Sequence, residues 1–377
     1  MNQIRSMENE TTYRVIIGGG GTGGHVFPAI AIARALSDML KDVDILFVGA
    51  LGRMEMEKVP EAGYKIVGLP VAGFQRRITL KNITFFFKLI RSMQRSRQLV
   101  RNFRPHVAVG VGGYASGPII RAAASKKVPV LIQEQNSYAG VTNRLLAKKA
   151  SAICVAYDGM EKYFPPEKII LTGNPVRQDL LLPDAERAVS YASFGLDPGR
   201  KVILLIGGSL GARTLNRSMI NNILSIAASD VQVLWQCGKF YYEEARRALD
   251  ESDARNVVLM PFIREMNRAF QVADLVISRA GAGTISELCL VGKPVILVPS
   301  PNVAEDHQTR NARALTDHEA GVLIHDHEAE KILIRAALEL VQDEARKEKL
   351  SANIKKMALP DASARIAGEV IKLLEKQ

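Results

Sequence analysis

Cysteine is scarce in this chain: Cys154, Cys237 and Cys289 are scattered, odd in number and form no CxxC pair. That excludes a disulfide framework and a cysteine-rich zinc site, and a reducing compartment is expected. No apolar run approaches the roughly 18 residues of a spanning helix, and the opening MNQIRSMENETTYR is too polar for a signal peptide. The chain is therefore expected to stay in the cytoplasm. Low-complexity tracts are missing, and 47% apolar with 24% charged residues fits neither disorder nor a fibrous repeat. A length of 377 residues predicts two or three domains, each large enough for its own core.

Acidic residues are absent from residues 71–104, VAGFQRRITLKNITFFFKLIRSMQRSRQLVRNFR, which hold nine Lys and Arg. Taking these nine from the net charge of +11 leaves +2, so the positive field belongs to one segment. Bulky apolar residues interleave with its cations, and the candidate membrane contacts are Ile78, Lys81, Phe85, Phe86, Phe87, Lys88 and Arg91. Each cation near an anionic leaflet contributes on the order of 1 kcal/mol and each buried Phe roughly 1.5 to 3, enough together for reversible attachment. The competing reading is an ordinary amphipathic helix with its phenylalanines in the core, although three consecutive aromatics cannot all face one way. Nucleic acid is disfavoured, because no stacking aromatics line a basic groove.

Short β-branched runs, glycine-rich turns and helical stretches alternate along the whole chain, which predicts parallel α/β architecture. YRVIIGGGGTGGHVFPAIAIARAL opens the pattern and KVILLIGGSLGARTLNRSMINNIL restarts it. The expected fold is two Rossmann-like domains with parallel sheets facing across a cleft. The seam is read near GNPVRQDLLLPDAE, giving an N-terminal domain of residues 1–175 and a C-terminal domain of 176–360. The last stretch, after Pro360, reads as an amphipathic helix. Its pattern does not say where it packs, and the assignment joins 361–377 to the first domain.

Ligands of open α/β sheets sit at the carboxyl ends of strands, so motifs there carry most of the chemistry. IIGGGGTGGH matches the dinucleotide fingerprint, but DILFVGALGR lacks the acid that would bind a nicotinamide ribose, and no Gly-Lys-Ser/Thr makes a P-loop. What survives is a loop of amides suited to an anion. His25 follows it in the first helical turn, where the dipole disfavours imidazolium by roughly 0.3 to 1 kcal/mol, as a general base requires. VAVGVGGYASGP is a second glycine elbow carrying Gly112, Gly113 and Tyr114, and EQNSYAGVTN places Glu134 and Asn136 either where sugar hydroxyls are bound or in a simple turn. GGSLGAR offers Ser209 and RAGAGTISEL leads into a helix with Glu287, an acid able to accept from both hydroxyls of a ribose. Together these point to a diphosphate-linked ribonucleotide. No metal site is expected: Asp42-Val43-Asp44 lies at the amino end of a strand, and His325-Asp326-His327 lacks a third partner.

The set GGTGGHVFPA, GVGGYASGP, EQNSYAGVTN, GNPVR, GGSLGAR, SRAGAGTISE and HQTRNA, in this order, resembles the MurG family of peptidoglycan glycosyltransferases (family 28) from about residue 13 onward. The resemblance implies a GT-B fold and inverting transfer of N-acetylglucosamine from UDP-GlcNAc to the 4-hydroxyl of the undecaprenyl-diphosphate-linked muramoyl-pentapeptide. It implies peripheral attachment to the cytoplasmic face of the inner membrane in company with other cell-wall synthesis proteins, and no cofactor. Donor contacts fall by resemblance on Thr22, Gly23, Gly24, Asn136, Arg177, Ser209, Ile263, Ala282, Gly283, Thr284, Ile285, Ser286, Glu287 and Gln308. The base falls on His25, and Gly112, Gly113 and Tyr114 face the acceptor diphosphate. Where the family has two adjacent glutamines, this chain has His307-Gln308. Competing readings are another UDP-sugar-dependent lipid glycosyltransferase, a nicotinamide oxidoreductase and a non-catalytic membrane-docked nucleotide binder.

Overall fold

The computed structural model describes residues 12–71, 80–208 and 210–376, with side chains for all of these except 80–86, 178 and 304. The chain divides into two compact units, Met1–Val176 with Asp361–Gln377, and Arg177–Pro360.

Among the described residues, unit 1 carries seven strands: β1 (Tyr13–Gly18), β2 (Val43–Ala50), β3 (Lys65–Leu69), β4 (Val107–Gly110), β5 (Val130–Glu134), β6 (Ala152–Val155) and β7 (Ile169–Leu171). Unit 2 carries six: β8 (Lys201–Ile206), β9 (Val231–Gln236), β10 (Val257–Met260), β11 (Leu275–Ser278), β12 (Val295–Leu297) and β13 (Val322–Leu323). All are parallel, in the orders β3-β2-β1-β4-β5-β6-β7 and β10-β9-β8-β11-β12-β13. Counted from its own first strand, each sheet runs 3-2-1-4-5-6, with one further edge strand in unit 1. This is the doubly wound arrangement expected from the alternating pattern, and its switch points lie between β1 and β4 and between β8 and β11.

Parallel sheets covered by helices on both faces need apolar residues on both, so their strands read as continuous runs. Val15, Ile16 and Ile17 are all fully buried in β1. Val15 and Ile17 join one core with Val107, Val109 and Leu131, whereas Ile16 joins the other with Ala108 and Ile132. The first core is closed by helix Gly23–Met39, through Val26, Ala29, Ile30, Ala33 and Leu36 at helical spacing. Helix Ala362–Glu375 closes it further with Ile366, Ala367, Val370 and Leu374, and Arg365 donates to the Leu171 carbonyl at 2.8 Å. The chain end thus crosses back to unit 1, which its amphipathic pattern alone leaves open.

Helix Leu80–Phe103 covers the other face. Ser92, Ser96 and Val100 are buried at four-residue spacing, while Phe87 is 70% and Ile90 56% exposed, flanked by exposed Lys88 and Arg91. Ile78, and the side chains of Lys81, Phe85 and Phe86, lie outside the described residues. No helix among the described residues is long and apolar enough to cross a membrane.

Candidate active site

In unit 1 the first glycine loop leaves β1 at the switch point. Gly19 N–H donates to the Val48 carbonyl at 3.1 Å, and Gly20 and Gly21 take φ of +142° and +93°, which side chains disfavour. Thr22 is the extended residue preceding helix Gly23–Met39, and its carbonyl accepts from the amides of His25 and Val26, both at 3.1 Å. The Thr22 hydroxyl does not cap the helix; it lies 3.0 Å from His25 Nδ1. The ring's other edge meets the second glycine elbow, where a Cβ on Gly112 would stand 2.8 Å from His25 Cδ2 and 2.9 Å from Nε2. A Cβ on Gly113 would stand 2.1 Å from the Gly20 carbonyl oxygen, so the two elbows interlock. Tyr114 follows, more than half exposed. His25, Thr22, Gly112 and Gly113 therefore come together; Gly24 is exposed and Gly23 half-buried beside them.

Two neighbours escape sequence reasoning. Glu55, almost wholly buried, accepts from Gly21 N–H at 3.0 Å and from Ala50 N–H at 2.9 Å. Its only sequence signal is an acid shortly after a glycine-ended strand. Gln135, also buried, donates to the Val111 carbonyl at 2.8 Å, and its own carbonyl accepts from Asn174 Nδ2 at 2.9 Å. Of the two readings of Glu134, a sugar ligand or part of a turn, the turn is found: the side chain points inward. Its carboxylate accepts from the amides of Asn136 and Gly140, both at 3.0 Å, and from Asn143 Nδ2 at 2.9 Å. Burial pushes the Glu134 carboxyl above its ordinary range, against the pull of these donors. A strand-end acid and an acid holding its own loop look alike in sequence. Asn136 Nδ2 lies 3.3 Å from the same carboxylate.

In unit 2, helix Ala282–Val291 starts at the β11 switch point, with Gly281 extended before it and Ile285 N–H donating to the Gly281 carbonyl at 2.9 Å. A Cβ on Gly283 would meet nothing within 4 Å, so the helix start is open. Ile285 is buried and Ser286 Oγ donates to the Ala282 carbonyl at 3.1 Å, which leaves the backbone around Ala282, Gly283 and Thr284 as the accessible part. Glu287 pairs with Arg177, Nε to Oε1 at 3.2 Å. Burial raises the Glu287 carboxyl from its ordinary value, and Arg177 draws it back down.

Ile263 N–H donates to Gln236 Oε1 at 2.9 Å. Gln308 Oε1 accepts from Ser300 N–H at 2.8 Å. Ser209 lies outside the described residues. Arg279, not singled out in the sequence, donates to the carbonyls of Val298 at 3.0 Å and Pro299 at 3.2 Å and pairs with Asp326, tying β11 to the segment after β12. Asp326 is thereby committed, with Thr214 Oγ1 donating to it at 2.9 Å, and the rings of His325 and His327 stack at 5.7 Å. Among the described residues no group of three or more His, Cys, Asp or Glu could hold a metal ion.

Residues 15–155 match the glycosyltransferase family 28 N-terminal domain and residues 202–366 the family 28 C-terminal domain. A UDP-N-acetylglucosamine–N-acetylmuramyl-(pentapeptide) pyrophosphoryl-undecaprenol N-acetylglucosamine transferase of Bacteroides thetaiotaomicron is 56% identical over 98% of this chain and 100% of its own. One of Cytophaga hutchinsonii is 50% identical over 98% and 99%. Among solved structures, Acinetobacter baumannii MurG superposes with a TM-score of 0.77 at 26% identity, covering 96% of this chain and 99% of that one. A UDP-GlcNAc 2-epimerase of Neisseria meningitidis bound to UDP-GlcNAc shares the fold alone, with a TM-score of 0.66 at 16% identity over 97% and 100%. With both domain models matched and half or more of its residues shared with these transferases along its whole length, the chain belongs to glycosyltransferase family 28.

Proposed function

We propose that this chain transfers N-acetylglucosamine from UDP-GlcNAc to the 4-hydroxyl of the undecaprenyl-diphosphate-linked muramoyl-pentapeptide, the step from lipid I to lipid II in peptidoglycan synthesis. The observation that carries the proposal is full-length identity of 56% to a relative named for that reaction.

The geometry of each unit supports a division of labour. Unit 2 takes the donor: the Ile263 carbonyl meets the uracil edge, Glu287 the ribose diol, and Arg177 with the open start of helix Ala282–Val291 the diphosphate. Gln308, through its NH₂, meets the sugar. Negative charge grows on the departing diphosphate, and fixed amide dipoles stabilise it without reorganisation. Unit 1 takes the acceptor, with its diphosphate near Gly112, Gly113 and Tyr114. His25, oriented by the Thr22 hydroxyl 3.0 Å from its Nδ1, takes the proton of the acceptor hydroxyl on Nε2. The hydroxyl oxygen bonds to the anomeric carbon as its proton passes to Nε2. The bond from that carbon to the phosphate oxygen breaks, UDP leaves and the configuration inverts. The exposed Phe87 and Ile90, with Lys88 and Arg91, support peripheral attachment to an anionic membrane, on the cytoplasmic side where UDP-sugars are made.

Transfer of labelled GlcNAc to the lipid acceptor, read alongside calorimetric titration with UDP, tests this. His25→Ala is expected to lose about 10²- to 10⁴-fold in turnover while binding UDP as before. Full turnover in that variant removes His25 as the base. Transfer to a diacylglycerol instead of the muramoyl lipid would move the chain to another lipid glycosyltransferase activity.

A further inference from the structure

The buried Glu55 carboxylate has no role in donor or acceptor contact, yet its surroundings are built around it. It is 1% exposed, at the start of the short helix Glu55–Glu61 that follows β2. Gly21 N–H lies 3.0 Å from both of its oxygens, and Ala50 N–H lies 2.9 Å from Oε1. Two glycines make room for it: a Cβ on Gly20 would stand 2.2 Å from Oε1, and one on Gly49 would stand 2.6 Å from its Cγ. An ionised carboxylate with charge-assisted bonds to backbone amides is a strong anchor, and a buried one left without those donors is costly. The loop so anchored runs into Thr22 and His25, and its Gly20 carbonyl packs on Gly113.

We propose that Glu55 is a positioning residue for the transfer reaction: its carboxylate clamps Gly21 and the end of β2, fixing the loop that carries Thr22 and sets His25 against Gly112. One consequence is that Gly21 N–H is spent on an internal carboxylate, so this loop offers fewer amides to an external anion than its glycine count suggests. The proposal rests on the reading of His25 as the base, through which Glu55 acts.

The full-length protein is compared with Glu55→Gln, His25→Ala, the double variant, and Val59→Ala, a buried packing change on the same short helix. Gln keeps the shape but turns an NH₂ or a neutral oxygen toward amides that need a carboxylate. Expected is a fall in kcat of about 10- to 100-fold, the scale of a catalytic group misplaced by about 1 Å. The double variant should be no slower than His25→Ala alone. Val59→Ala should lower the melting temperature while leaving kcat near the parent value. If Glu55→Gln is not recovered folded, Glu55→Asp carries the test, with a smaller loss of kcat that again does not multiply with that of His25→Ala. Parental kcat in the folded Glu55 variant overturns the proposal, as does a loss that multiplies with that of His25→Ala. Full turnover in His25→Ala would instead defeat the base reading, and is distinguished by that single variant.

Discussion

The two units repeat one strand order, yet their first loops stand on opposite electrostatic ground. Beneath the loop after β1 lies a carboxylate, Glu55, bonded to Gly21 and Ala50. Around the loop after β8 the corresponding bonds come from neutral groups: Gly207 N–H donates to the Gln236 carbonyl at 2.9 Å, and Asn216 joins the Cys237 carbonyl to Trp235 Nε1 at 2.8 and 2.9 Å. The carboxylate occupies the Gly21 N–H and disfavours an anion on the β1 loop itself, in keeping with an acceptor diphosphate placed at the second elbow, Gly112 and Gly113. Identical topology therefore leaves the detail of each loop to a few polar side chains behind the backbone, while the donor is assigned to unit 2 by its motifs and their resemblance to the family.

The largest expected effect separates the loops sterically. Gly113→Ala drives a Cβ to 2.1 Å from a backbone oxygen at φ +83° and should cost on the order of 4 kcal/mol. Gly208→Ala, at φ +78° with nothing within 4 Å, should cost only about 1 to 2 kcal/mol. Chemical denaturation reads both, and equal losses would show that the interlocked elbows of unit 1 add nothing. Next comes ligand charge. Glu287→Ala should weaken UDP about 10- to 100-fold, matching roughly 1.5 to 3 kcal/mol for hydrogen bonds to a charged group. Glu55→Gln, in the other unit, should leave UDP titrations unaltered, and a matching loss there would break the division between units.

Attachment offers a third contrast. Exchanging the exposed Phe87 for Ser should reduce sedimentation with anionic vesicles by about tenfold, for roughly 1.5 kcal/mol of lost burial, whereas Phe240→Ser on unit 2, equally exposed, should not. The smallest effect concerns buried charge. Glu55 has two amide donors, but Lys293 has a 3.4 Å contact to the Gln271 carbonyl, and burial lowers its ammonium to about 8. Its folded value lies below the unfolded 10.5, so the unfolded chain holds the extra proton between these limits and stability from this group rises with pH across that window. Lys293→Met should therefore melt above the parent at pH 7 by about 2 to 4 °C, the gap closing toward pH 10. A gap that widens with pH would contradict the sign.

The strands and glycine elbows were legible because β-branched runs buried on two faces and glycines at strand ends leave little else possible. Glu55 and Glu134 were not legible as anchors. An acid near a strand end reads as solvated charge or as a ligand until the backbone amides it accepts from are known. Arg279 was hidden for the same reason, its partners being main-chain carbonyls and an aspartate 47 residues away. Likewise, the resemblance puts Glu287 and Arg177 among the expected donor contacts, but their 3.2 Å pairing joins residues 110 positions apart.

By itself, then, the sequence determined the doubly wound sheets, the helix start that carries His25 and the concentration of cations in one segment, since these follow from local periodicity, glycine conformation and composition. Only the tertiary structure decided which acids face inward, which amides remain open and where the C-terminal helix docks. Those outcomes depend on contacts between residues distant in the chain, where burial turns a hydrogen bond from optional into obligatory.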